Sequence, residues 1–388
     1  MKLPVPGSAG TKARHSGKDG VNPMKRTKMG RWVADAAAVL AMMLAALPVQ
    51  AAAPFLTPDS TVEEMYTNPA LTELKLETLE DGLLWPEQPW ENADSSLRDY
   101  LGATAPDAVA GLNLLIDNYN QGVQVSFPLY SEEEIQEDPT RAEARLFYFP
   151  AEQPGGKYAL VVSGNFLECT GRVKEGCGTA FQLHEMGYAA FVLQYRAGSR
   201  LKNNANYQDL VRAVQFITQN AQELGVQPED YALVGYSAGG QLCGLFGTDR
   251  MGYSNYGLPK PGALLLGYPI VDYMYSKPGF FYVYDGARPG DDLAPGDYYY
   301  NIDLPAEVTA SFPATYHWFG KNDLTLGALI PPLQGPLLDK ALEKNGVMHQ
   351  MTVYDNAPHG VGVGTGTDAE NWLTEAAAFW EKAAASAK

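Results

Sequence analysis

The stretch YALVGYSAGG, residues 231–240, decides the fold. Tyr231–Val234 reads as a short apolar strand, and the residues after Gly240 as an apolar helix. Between them stands G-x-S-x-G, Gly235 to Gly239. It puts Ser237 on a tight strand-to-helix turn, with its hydroxyl at the carboxyl end of a sheet. Glycines two residues to either side suit such a turn, because a strained backbone and close neighbours leave no room for side chains. Ser237 is therefore the candidate nucleophile, and the bland alternative is an ordinary βα turn.

Outward from that turn, short apolar runs alternate with helical segments. Ala159–Val162, Ala189–Leu193, Ala263–Leu266, Ala314–Phe319 and Met351–Tyr354 read as further strands. They are continuously apolar, as in a parallel sheet covered on both faces. Leu210, Val214, Ile217, Ala221 and Leu224 share one helical face, with Gly225 ending that helix, and a last helix is expected from Asn371 to Ala385. Upstream, Val123–Phe127 and Ala144–Phe149 read as two more strands. The acidic run between them (Glu132, Glu133, Glu134, Glu137, Asp138) reads as a solvated turn. The alternation predicts an α/β fold with a doubly wound, mostly parallel sheet over residues 121–388. Residues 54–120 read as a mostly helical lead-in broken by Pro54, Pro58, Pro69, Pro86 and Pro89, with an amphipathic segment Ala108–Tyr119.

A serine hydroxyl is a weak nucleophile until a base takes its proton. His359, in Pro358-His359-Gly360, follows the last strand and is the candidate base. His15 lies in the presequence, His184 on a helix before the nucleophile, His317 within a strand and His349 before the last strand. Each reads more simply as a surface or core histidine. The base needs an acid to hold its tautomer, and chain order Ser, acid, His points to Asp323 after the Ala314–Phe319 strand. Asp355 and Asp303 are the rivals. Donors to an oxyanion are expected from the backbone N–H of Ala238 and from that of Gly164 or Asn165, in the loop Ser163-Gly164-Asn165-Phe166. No cysteine or histidine spacing suggests a metal, and no cofactor is expected.

Charge divides the chain. Of 28 Lys/Arg and 45 Asp/Glu, eight and two lie in residues 1–53, which leaves 20 against 43, or −23, for the remainder. That acidity disfavours nucleic acid and anionic membrane surfaces as partners. The basic segment runs into Ala36–Leu47, short of the ~20 apolar residues a membrane span needs, and then into Val49-Gln50-Ala51-Ala52-Ala53. This is the layout of a cleavable signal peptide, with a mature start near residues 52–54 and no stable membrane anchor afterwards. Met24 opens a better signal than Met1. The expected location is secreted or periplasmic. Cys169 and Cys177 are close enough in a Gly-rich loop to pair, and Cys243 reads as a buried small hydrophobe.

These residues resemble the esterase/lipase-type α/β-hydrolases, particularly the bacterial group related to acetyl-xylan and feruloyl esterases. The likeness is carried by Ser163–Phe166, Lys174-Glu175-Gly176, Phe191–Arg196, Asp209–Val214 and Gly235–Gly240, and Asp323 and His359-Gly360 extend it over residues 123–385. It implies Ser-His-Asp acyl transfer through an acyl-enzyme, on a small-molecule or carbohydrate ester. The group's oxyanion loop has three successive glycines, and here Ser163 and Asn165 stand in place of two of them. Eight of the 23 tyrosines lie in residues 268–300, inside an insertion expected over 268–312. Tyr236, Tyr268 and Tyr273 are candidate substrate contacts, with packing the equal alternative. Trp85 and Trp90 read as cover for the core. Two other functions fit the same sheet: a dipeptidyl-peptidase-like serine peptidase and a non-catalytic hydrolase-like binding protein. The first usually carries a large β-propeller, for which the roughly 100 residues between signal and core are too few. The second usually lacks the nucleophile or base.

Overall fold

The computed structural model describes residues 52–76, 93–164, 171–196, 202–273, 298–323 and 331–386. The presequence up to residue 51, Trp85, Trp90, Asn165, Phe166, Cys169 and most of the Tyr-rich insertion lie outside these residues. Ala52–Lys388 forms one compact unit. Among the described residues no helix is long and apolar enough to cross a membrane.

Eight strands make one sheet: β1 (Ser126–Pro128), β2 (Arg145–Phe149), β3 (Tyr158–Val162), β4 (Ala189–Gln194), β5 (Ala232–Tyr236), β6 (Ala263–Gly267), β7 (Thr315–Gly320) and β8 (His349–Tyr354). Their spatial order is β1-β2-β4-β3-β5-β6-β7-β8. β2 runs antiparallel to β1 and β4, and every other neighbouring pair is parallel. The sheet is therefore the mostly parallel α/β arrangement that the alternation predicts. Strand order reverses between β3 and β5, and a crevice at the carboxyl ends of the strands opens at such a reversal.

Successive side chains of each strand go to opposite faces, so the apolar runs feed two cores. On β3, Leu160 and Val162 join one core while Ala159 and Val161 join the other. The first core packs under helices Ala205–Gln219, Ser237–Phe246 and Pro331–Lys344. The second packs under Ala105–Asn120, Gly178–Glu185 and Trp372–Ser386. Full burial of each Leu, Val or Phe contributes roughly 1.5–3 kcal/mol, so both faces need their helices. The lead-in thus supplies one of the three helices named for that layer. Its start is held by two carboxamides of helix Ala105–Asn120. Asn113 accepts from Leu56 N–H and donates to Leu56 C=O, both at 2.8 Å. Asn120 does the same to Ala53, at 2.7 and 3.0 Å.

Three segments differ from their sequence reading. The strand expected at Met351–Tyr354 is the sheet edge, with one neighbour, and it is only half covered, Val353 being 45% exposed. The acidic run is not a plain turn but a short helix, Glu132–Glu137. Ser131 and Glu134 cap each other reciprocally, and the acids sit at the helix's positive end. The helix read through Leu224 stops at Gln219. Ala221 and Leu224 stay buried in the turn that follows, and Gly225 takes φ +63°.

Candidate active site

The registers align the chemistry. β3 pairs with β5 so that Val162 faces Gly235, and β7 pairs with β8 so that Gly320 faces Tyr354. The segments leaving β3, β5, β7 and β8 therefore emerge on one edge, carrying Gly164, Ser237, Asp323 and His359. Ser237 opens helix Ser237–Phe246 directly from β5 at φ +49°, a left-handed conformation that a non-glycine residue adopts only under constraint. Gly239 makes that possible: a β-carbon there would run into Val162 C=O.

His359 Nε2 lies 2.9 Å from Ser237 Oγ, and its Nδ1 lies 2.7 Å from Asp323 Oδ2. The Asp323 side chain is fully buried, while that of His359 keeps 12% of its surface. The structure thus brings together the three residues that strand order singled out. The rivals are elsewhere. Asp355 is exposed and faces Lys321 at 3.4 Å, and Asp303 caps the short helix Leu304–Glu307. His184 bonds the Pro150 carbonyl, His349 that of Val347, and His317 is buried in β7.

The oxyanion donors divide. Ala238 is in the first turn of its helix, where backbone N–H groups have no intrahelical acceptor, so its N–H is open to an anion beside Ser237. Gly164 does not fit the expectation. Its N–H donates to Glu175 Oε2 at 2.7 Å and is spent there. Gly164 is nonetheless tightly placed, since a β-carbon on it would lie 2.7 Å from Ser237 Cβ. Asn165 lies outside the described residues.

The tyrosines are corrected as well. Tyr236, Tyr268 and Tyr273 are each 1% exposed or less, so none presents a ring to substrate. Tyr236 points into the core opposite Thr179, their hydroxyls 2.6 Å apart. Tyr273 packs edge-on against Tyr299 at 6.4 Å. The Tyr268 ring lies 4.7 Å from the His359 imidazole, its hydroxyl donating to Glu175 Oε1 at 2.8 Å. Burial, then the neighbouring Glu175 charge, push the Tyr268 phenol well above its usual pKa, so it stays a donor. Burial also raises the Glu175 carboxyl, against the bonds from Gly164 and Tyr268 that favour its charged form. Tyr195, at the end of β4, donates to Ser163 C=O at 2.8 Å and steadies the loop after β3.

Sequence reasoning gave no role to Glu175 or Tyr195. The available signal for Glu175 was an acid set among Gly171, Gly176 and Gly178, where a solvated face is not expected. Cys177 is buried and free, its thiol pushed up to about 12 by burial. Among the described residues no group of three His, Cys, Asp or Glu is arranged to hold a metal ion.

Known proteins share this architecture. Residues 149–254 match the BD-FAE family model. Endo-1,4-beta-xylanase B of Butyrivibrio fibrisolvens is 23% identical over 230 residues, 56% of this chain and 33% of that protein. An acetylxylan esterase of Xylanibacter ruminicola is 27% identical over 131 residues, 33% of this chain and 26% of that protein. The match thus spans a third or less of these curated relatives. A solved acetyl ester-xyloside bifunctional hydrolase from Caldicellulosiruptor lactoaceticus is 21% identical with a TM-score of 0.54, and the match covers 66% of this chain and 95% of that one. The chain has the α/β-hydrolase fold, and over part of its length it is similar to the BD-FAE family and to an acetylxylan esterase.

Proposed function

We propose that the protein is an exported serine hydrolase of carboxylic esters, acting through an acyl-enzyme on short acyl groups such as those carried by carbohydrates. One observation carries the reading: the line Ser237 Oγ, His359, Asp323, with 2.9 and 2.7 Å steps, at the carboxyl edge of the sheet. Ser237 Oγ attacks the ester carbonyl while His359 Nε2 takes its proton. Asp323 holds Nδ1–H and balances the imidazolium that forms. The Ala238 N–H meets the oxyanion. Collapse expels the alcohol, protonated by His359, and water activated by the same imidazole then releases the acid. The relatives named for xylan and acetyl-ester hydrolysis support a carbohydrate ester as substrate. The basic and apolar start of the chain supports export.

The test is hydrolysis of p-nitrophenyl esters and of acetylated xylan by wild type and Ser237→Ala. Wild type is expected to cleave an acetyl ester faster than an octanoyl ester, with activity abolished in the variant. An inactive wild type, or an active variant, would overturn the reading. Faster octanoyl turnover would overturn the short-acyl preference alone.

A further inference from the structure

One buried acid beside the serine and the histidine has no part in the acyl transfer just described. Glu175 sits on a π-helical turn, Arg172–Cys177, and is 5% exposed. π turns give up regular helical bonding and recur where a side chain must be aimed. A buried carboxylate is costly unless its oxygens accept strong hydrogen bonds. Both oxygens of Glu175 do, and the donors come from opposite sides of the site. Oε2 takes the N–H of Gly164, the residue packed against Ser237. Oε1 takes the O–H of Tyr268. The Tyr268 oxygen in turn accepts the Gly362 N–H at 2.9 Å, three residues beyond His359, and the Tyr268 ring lies against the imidazole.

We propose that Glu175 is a positioning residue: through Gly164 on one oxygen and through Tyr268 and Gly362 on the other, it sets the spacing between the loop beside Ser237 and the loop that carries His359. The proposal rests on the serine-hydrolase reading above. Neither loop belongs to a strand or helix, so their separation depends on what ties them. The ties differ chemically. Gly164 offers only an N–H and needs an acceptor. Tyr268 both donates and accepts. A glutamine at 175 can therefore keep both ties, its carbonyl oxygen facing Gly164 N–H and its amide facing the Tyr268 oxygen, while the charge is lost. An alanine keeps neither.

The experiment measures kcat and KM for p-nitrophenyl acetate in wild type, Ser237→Ala, Glu175→Ala, Glu175→Gln and Tyr268→Phe, with folding checked by circular dichroism. Misplacement of reacting groups acts on the chemical step, so Glu175→Ala is expected to lower kcat about 100-fold with KM changed by less than about threefold. Tyr268→Phe, which keeps the ring and the carboxylate, should lower kcat about tenfold, and Glu175→Gln should retain kcat within about fivefold. If Glu175→Ala does not fold, Tyr268→Phe and Glu175→Gln carry the test. A folded Glu175→Ala or Tyr268→Phe at wild-type kcat would overturn the proposal. So would Glu175→Gln as slow as Glu175→Ala, which would assign the effect to charge, or a loss confined to KM. Each of these leaves the ester-hydrolase reading standing. That reading fails only if wild type is inactive or Ser237→Ala retains activity, and the proposal falls with it.

Discussion

Ser237, Asp323 and His359 come from segments far apart in the chain, and the carboxyl ends of parallel strands make them neighbours. Asp323→Asn tests the acid. An asparagine fits the same space but favours the wrong imidazole tautomer, so kcat on a short ester is expected to fall about 10³–10⁴-fold. Asp355→Asn should change nothing measurable, because Asp355 is exposed and faces Lys321. Equal losses in the two variants would refute the assignment. These three residues were legible because each follows a strand that the apolar pattern marks. The residues around them were not. The contact between Glu175 and Tyr268 joins positions 93 apart, and no local pattern encodes it. Gly164 reads as an oxyanion donor from its loop alone, and only the approach of Glu175 redirects its N–H. Tyrosine-rich sequence likewise marks aromatic mass without saying which rings are covered, and Tyr236, Tyr268 and Tyr273 all are.

Among the elements, parallel strands were the most readable because burial on both faces makes them apolar at every position. β8 shows the limit: His349–Tyr354 has the right residues for a strand, but a sequence does not say which strand is the edge. The short helix Glu132–Glu137 was missed because its charge masked its cap, Ser131 with Glu134. The join between β4 and helix Ala205–Gln219 has an electrostatic basis. The Arg196 guanidinium, 3% exposed, reaches Asp209 Oδ1 through Nη2 at 2.7 Å and Oδ2 through Nε at 3.0 Å, and the Arg196 N–H donates to Oδ2 at 2.8 Å. Asp209 is fully buried. Removing Asp209 leaves the buried guanidinium only its 2.9 Å contact with the half-exposed Asp138, so Asp209→Ala is expected to cost about 3 kcal/mol in denaturant unfolding. Asp59→Ala breaks the Arg98–Asp59 contact of similar length, 2.9 Å, but that pair is 57% and 78% exposed and its loss should leave the midpoint unmoved. Equal effects from the two variants would show that burial does not set the worth of the pair.

At the scale of the whole molecule, the lead-in that sequence could only call helical covers part of one face of the sheet, beside helices Gly178–Glu185 and Trp372–Ser386. Its amphipathic stretch was readable, but not the surface it would meet. On the opposite face, His317 sits in β7 with no exposed surface, and neither ring nitrogen makes a hydrogen bond. The nearest carboxylate oxygen, Asp339 Oδ1, is 3.7 Å from Nε2. Burial holds the His317 pKa below its usual value, with the Asp339 interaction opposing. The folded chain therefore refuses a proton that the unfolded chain accepts near about pH 6.5. Below that pH the unfolded state binds more protons, so stability falls as pH drops, until the folded imidazole also protonates. His317→Leu removes this site at little packing cost, since no hydrogen bond is broken. Melting temperatures from pH 8 to 5 should then fall less steeply for the variant than for wild type, with the curves close at the upper end. Parallel curves would mean that the acid sensitivity of the fold lies with other groups.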